Sequence, residues 1–288
     1  MADHHVDKMY IRLFDVERGI DAGYADWNMV PTATTRFLQP LPADIDVVPV
    51  VYITVDAIRT LNLARDKAHL VDTYARLIVK RIDEMMTEHW GFPVREVQLD
   101  CDWTTHTKTL YFALAQAIKT QLNLKGITLS ATLRLHQLRI MEQATPDLDV
   151  LPFDRTLLMC YNTGRLQDPL TNNSILDIDD VMPYLKQYHS DSLPSTDVAY
   201  PVYGWGVEFD REGNFRKIVH SQNLEQSITL ADSNNVVIRE EWGNAKDIKK
   251  VQQSLPTLDI DHTTILYHLD SFNLSHYSYE DIEKFYSR

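Results

Sequence analysis

The sequence predicts an α/β fold of the (β/α)8 class, a TIM barrel, carried as a single domain over residues 1–288. Three observations predict it. Eight runs read as strands, helical stretches separate most of them, and no low-complexity linker or 20 to 50 residue repeat divides the chain. The alternative is a doubly wound open sheet. That fold lacks its usual sequence support, because no Gly-x-Gly-x-x-Gly or phosphate-loop motif follows any strand.

Residues 1–8, with His4 and His5, read as a flexible arm and not as a metal site. The first expected strand is 10–16, followed by a Gly- and Asp-containing loop. The second, 47–55, is nearly continuous in apolar residues, the pattern of a strand buried on both faces of a parallel sheet. Pro31, Pro40 and Pro42 argue against a long regular element between these two. From 64 to 89, Leu70, Val71, Tyr74, Leu77, Ile78, Ile82, Met85 and Met86 recur at helical spacing and predict a long amphipathic helix.

The third strand, 96–103, has two faces. Side chains alternate along an extended chain, so Gln98, Asp100 and Asp102 share one side while Val97, Leu99, Cys101 and Trp103 share the other. Leu110, Leu114, Ala117, Ile118 and Leu122 mark the next helix, with Thr104, Thr105 or Thr107 as its cap. The run 127–135 repeats the two-faced pattern, and 156–161 is strand five. Asp177 caps a helix over 178–188, and strand six spans 198–205 before a polar segment, 208–235. Strand seven is 236–242, a short helix covers 244–255 with Ile248, Val251 and Leu255 on one side, and 263–269 is strand eight. Ser278 opens the last helix, with Asp281 placed for a capping box.

Composition excludes several classes of function. With 41 acidic against 28 basic residues the net charge is −13, so a polyanion is repelled and nucleic acid is not an expected partner. The two cysteines, Cys101 and Cys160, fall on different strands and set no disulfide framework; Cys101 reads as a packing thiol. No run of 18 apolar residues marks a transmembrane helix, and the first residues have no signal-peptide core. No His-Glu-x-x-His, calcium loop or cysteine cluster calls for a metal, no motif calls for a cofactor, and no Gly-x-Ser-x-Gly turn offers a serine nucleophile.

In a barrel the working face lies at the C-terminal ends of the strands. That rule collects Asp15, Asp56, Asp100, Asp102, Arg134, His136, Tyr161, Asn162, Tyr203, Trp205, Glu240, Glu241, His268 and Asp270. Carboxylates mixed with aromatics suit a sugar or another small polar ligand: the acids for proton transfer or nucleophilic attack, the rings for packing on pyranose C–H groups. The catalytic candidates are therefore Asp100, Asp102, Glu240, Glu241 and Asp270. The substrate-binding candidates are Arg134, His136, Tyr161, Asn162, Tyr203, Trp205 and His268. Glu240 and Glu241 point to opposite faces, so at most one of them faces the site, and alternation with Val236 and Ile238 does not decide which. The competing structural reading pairs Asp100 and Asp102 with Arg134 on the neighbouring strand.

Leu99-Asp100-Cys101-Asp102-Trp103 resembles the strand-end Asp-x-Asp-Trp segment of family-18 glycosidases, the chitinase-like barrels, in which the next residue is the general-acid glutamate. Here that position is Thr104, which cannot protonate a glycosidic oxygen as a carboxylic acid does. A longer resemblance is to an uncharacterised family of bacterial barrel proteins related in fold to glycosidases. It is carried by residues 98–104 (QLDCDWT), 129–137 (LSATLRLHQ) and 159–164 (MCYNTG). This resemblance implies a barrel, an exported or surface protein of a gut-type bacterium, and a polar cleft built from those blocks.

Two functions follow. The first is a carbohydrate-active, glycoside-hydrolase-like barrel in which Asp100 or Asp102 serves as acid, base or electrostatic stabiliser and Glu240, Glu241 or Asp270 supplies the opposing carboxylate. The second is a non-catalytic glycan-binding or scaffold protein that retains the barrel.

Overall fold

The structure, a computed structural model, describes residues 6–19, 29–42, 44–63, 65–90, 93–142, 151–186, 194–255 and 263–286. His4, His5 and the loop expected after 10–16 lie largely outside them. The chain divides into two compact units, Met1–Leu157 with Leu193–Ser195, and Leu158–Ser192 with Thr196–Arg288.

The first unit contains strands β1 (Lys8–Arg18), β2 (Met29–Thr32) and β3 (Asp46–Ile53), helices α1 (Val55–Leu61) and α2 (Lys67–His89), then β4 (Glu96–Asp100), α3 (Lys108–Asn123), β5 (Thr128–Arg134) and α4 (Leu135–Glu142). Its strand order is β2-β1-β3-β4-β5, parallel except for β2, which runs antiparallel to β1. Helix α2 starts where the Asp66 side chain accepts from the His69 amide at 3.0 Å. Its buried stripe is Val71, Tyr74, Ala75, Ile78, Val79, Ile82 and Met85. Leu77, expected on that stripe, is 52% exposed, because the 3.6-residue turn places it outside the buried arc, whose opposite edge Ala75 and Val79 extend.

The alternation expected at β4 is present. Val97, Leu99, Cys101 and Trp103 are at most 1% exposed, on the side covered by helices, and Trp103 packs edge-on against Phe112 of α3 at 5.4 Å. Thr107 occupies the N-cap position of α3 but makes no side-chain cap bond. Its hydroxyl instead accepts from the Thr104 amide at 2.9 Å.

Strand β6 (Arg155–Met159) leads into the second unit, which continues with α5 (Ile178–Leu185), β7 (Thr196–Pro201), β8 (Gly204–Asp210), β9 (Phe215–His220), α6 (Leu224–Leu230), β10 (Val236–Trp242), α7 (Ala245–Ser254), β11 (Thr264–Tyr267), α8 (Ser271–Ser275) and α9 (Tyr279–Tyr286). Here β11 lies parallel to β7, and Cys160, just past β6, donates its amide to Ala199 of β7 at 2.9 Å. The Asp177 cap is found, accepting from the Asp179 amide at 2.9 Å. So is the Ser278–Asp281 box, in which each residue's side chain accepts from the other's amide at 3.1 Å.

Two expectations about strands are corrected. The run 198–205 is two strands, β7 and the start of β8, separated at Val202 and Tyr203. The run 236–242 is β10, which pairs antiparallel with β8 in a separate three-stranded sheet of order β10-β8-β9. Alternation marks a strand but not the direction of its partner, and the polar stretch after 208 hides β9. The larger, parallel-dominated sheet holds seven of the expected strands, β1, β3 to β7 and β11, together with β2, which the sequence did not mark. Ring closure is not shown among the described residues: β2 pairs only with β1, and β11 only with β7.

Candidate functional site

The parallel register of the first unit aligns side chains from neighbouring strands in rows. Asp15 of β1 is level with Tyr52 of β3, and Tyr52 with Asp100 of β4. Thr132 of β5 joins this row by donating its hydroxyl to Asp100 Oδ1 at 2.6 Å. One level lower, Gln98 is opposite Ser130, its amide 3.4 Å from the serine oxygen. Past the strand ends, Arg134 grips Asp102 through Nε and Nη2, the latter at 2.9 Å. A two-pronged guanidinium bond of this kind fixes a carboxylate in direction as well as position.

Three acids on this face have their own cations. Lys8 reaches Glu96 at 3.1 Å, Arg12 pairs with Asp15 while its guanidinium lies 4.6 Å over the Tyr52 ring, and Arg134 holds Asp102. Asp100 has the Thr132 hydroxyl. Burial raises its pKa; the Thr132 bond opposes this, the Asp102 charge adds to it, and the Arg134 and Arg12 guanidiniums pull it back down. The Tyr52 phenol is raised too, first by burial and then by Asp102 and Asp100. His136, in the first turn of α4, is pushed below the ordinary imidazole range by desolvation and by Arg134, against the pull of Asp102. Burial lifts the Cys101 thiol well above its usual range, and Cys160 to about 12, so neither is a nucleophile at neutral pH.

Gln137, which the sequence did not single out, orients this group. It is 0% exposed; its side-chain oxygen accepts from the Arg134 amide at 2.8 Å, and its nitrogen donates to the Cys101 and Trp103 carbonyls at 3.2 and 3.0 Å. One side chain thus ties the turn carrying Arg134 to the segment carrying Asp102. Arg12, Tyr52 and Thr132 were also missed. Their alignment depends on strand register, which no local spacing encodes.

The second unit holds an aromatic cluster. Tyr161, just past β6, stacks on Tyr267 at the end of β11, centroids 5.0 Å apart and planes 7° from parallel. Tyr203 meets both edge-on, at 6.2 and 5.8 Å, and also contacts Trp205 at 5.5 Å and His268 at 5.8 Å. Tyr267, absent from the sequence-derived set, is 45% exposed. Asn162 is exposed, stands at φ 55° and accepts from the Tyr203 hydroxyl at 2.7 Å. An asparagine tolerates that left-handed backbone better than other side-chain-bearing residues do.

The remaining carboxylate candidates have structural partners. Glu241 lies in β10 with its side chain 0% exposed, accepting from Arg239 Nε at 2.6 Å, Trp205 Nε1 at 2.8 Å and the Ser174 hydroxyl. Glu240 accepts from Trp242 Nε1 at 2.7 Å. Asp270 is the N-cap of α8 and accepts from the Asn273 amide at 2.8 Å. Because β10 belongs to the antiparallel sheet, the strand-end rule that collected Glu240 and Glu241 does not apply to it. Among the described residues, no group of three or more His, Cys, Asp or Glu side chains is placed to hold a metal ion, and no helix is long and apolar enough to cross a membrane.

No protein-family model matches the sequence, and no curated protein matches it. Solved structures do. The GH18 chitinase ChiB of Flavobacterium johnsoniae is similar over 97% of this chain and 86% of its own, with a TM-score of 0.59 and 15% identity. The chitinase of Chromobacterium violaceum covers 98% of this chain and 92% of its own, with a TM-score of 0.58 and 13% identity. The spore cortex-lytic enzyme SleL of Bacillus megaterium covers 96% of this chain and 67% of its own, with a TM-score of 0.57 and 15% identity. At such identities the likeness is one of fold, and the fold of this chain is glycoside-hydrolase-like.

Proposed function

We propose that the protein binds a glycan on its glycoside-hydrolase-like fold, with the sugar seated on the aromatic cluster of the second unit. The observation that carries this reading is the Tyr161–Tyr267 stack with Tyr267 45% exposed. A tyrosine face of that kind takes the apolar side of a pyranose, while Asn162 and His268 at its border answer the hydroxyls. Binding without chitinase-type hydrolysis is supported by Thr104, whose amide donates to Thr107 and whose position carries no carboxyl, and by the Arg134 grip on Asp102.

One observation favours a second reading, hydrolysis. Among the described residues Asp100 makes no direct ion pair, and burial raises its pKa despite the more distant pull of Arg134 and Arg12, the condition of a carboxyl kept ready to donate a proton. A glycan array combined with an aryl-glycoside panel, run on wild type, Asp100→Asn and Tyr267→Ala, separates the two. Glycan binding lost in Tyr267→Ala and kept in Asp100→Asn, with no turnover by any of the three, is the expected result. Turnover by wild type that disappears in Asp100→Asn establishes the hydrolase instead.

A further inference from the structure

Glu241 does more than fill a buried position. It stands opposite Trp205 in the β8–β10 register, so the two side chains share one face of the three-stranded sheet. Its oxygens take three donors from three parts of the second unit: Arg239 in its own strand, the Trp205 indole at 2.8 Å, and the Ser174 hydroxyl from the segment between β6 and α5. Arg239 in turn donates to the Asp168 and Leu166 carbonyls of that same segment at 2.6 and 3.1 Å. The segment doubles back on itself beside Asn162: the Asn162 amide donates to the Ile175 carbonyl at 2.6 Å and the Gly164 amide to the Ser174 carbonyl at 3.2 Å.

A buried carboxylate is costly unless every lone pair is answered, and here the answering groups are the neighbours of the aromatic cluster. We infer that Glu241 is the positioning residue of the glycan site, fixing the Trp205 indole and, through Ser174, the backbone that presents Asn162. The inference rests on the glycan-binding reading and deepens it. Glu241 touches no ligand; it removes rotational freedom from one ring and one loop before the sugar arrives, and preorganisation of that kind is expressed as affinity.

The test combines 15N NMR of the indole N–H groups with titration of chitohexaose and cellohexaose. Trp205→Phe identifies the Trp205 signal by its disappearance. Glu241→Gln keeps the shape of the side chain but removes the charge and one acceptor. In that variant the Trp205 signal is expected to shift, and affinity for the sugar bound by wild type to fall about tenfold, on the order of one lost charge-assisted hydrogen bond. In a Trp205→Phe background the same substitution is expected to cost much less, a dependence that a general loss of stability does not produce. If Glu241→Gln does not fold, Ser174→Ala, which leaves the Arg239 pair intact, reads the same two signals with a drop of about threefold. An unmoved indole signal, or wild-type affinity in a folded variant, overturns the inference. A wild type that binds neither these sugars nor any arrayed glycan overturns the glycan reading and the binding half of this inference with it, while the indole signal still decides whether Glu241 anchors Trp205.

Discussion

Arg134 and Asp102 are each about one-third exposed at the side chain, at 31% and 29%, so their attraction is partly screened by solvent. A double-mutant cycle on Arg134→Met and Asp102→Asn, followed by urea denaturation, is expected to give a coupling of about 1–2 kcal/mol, between a surface pair and a buried one. Asp100 behaves differently with pH. Burial raises its folded pKa above 3.8, so the folded chain holds the proton more tightly than the unfolded one. That contribution is complete below the ordinary carboxylate range and is lost as pH rises through the folded value. Asp100→Asn is therefore expected to melt above wild type at neutral pH, with the gain shrinking as pH falls toward 3.8, as scanning calorimetry across a pH series reads directly. A gain that stays constant with pH contradicts this assignment. Sequence placed Asp100, Asp102 and Arg134 together because alternation and adjacency sufficed. It did not find Gln137, two of whose three partners are carbonyls of the segment after β4, nor see that Asp270 caps a helix, although Asp270 followed by Ser271, Phe272 and Asn273 carries that signal.

At the scale of elements, period and capping were legible and strand partnership was not. The run 236–242 opens on the β-branched residues Val236, Val237 and Ile238 like a barrel strand, and nothing within it reveals that β8 opposes it antiparallel. The cost of that arrangement shows at Gly204, opposite Trp242 in the register: a Cβ there would enter the indole ring, which is itself stacked on His276 at 3.7 Å with planes 1° apart. Gly204→Ala is expected to destabilise the protein by roughly 1–3 kcal/mol, as overpacking does, and a denaturation midpoint equal to wild type contradicts the packing argument. Gln137→Leu, which strips α4 of its link to the segment after β4, is expected to cost about 3 kcal/mol, since one amide and two carbonyls lose their partner. The same denaturation measurement decides it.

For the whole molecule, a net charge of −13 acts on any ligand approaching it. Neutral glycans are expected to bind more tightly than uronate-rich ones of equal length at low ionic strength, with the gap narrowing as salt screens the field. Titration of a matched neutral and anionic pair across a salt series checks this, and a preference independent of salt places the selection in local contacts. The α/β class with a parallel-dominated sheet was legible because it is written in repetition, strand after helix. The antiparallel sheet interrupts that repetition once, and a reading built on period passes over it.

Thr104 has a consequence for any attempt to build an acid into this segment. Its amide already donates to the Thr107 hydroxyl at 2.9 Å, and the two hydroxyls lie 3.3 Å apart at the entry to α3. A glutamate installed at 104 would deprive Thr107 of its hydroxyl neighbour and would face an Asp102 already held by Arg134. A carboxyl placed at 104 therefore disturbs Thr107 and meets an aspartate whose charge is already answered, so substitution at 104 alone does not supply a free pair of acids.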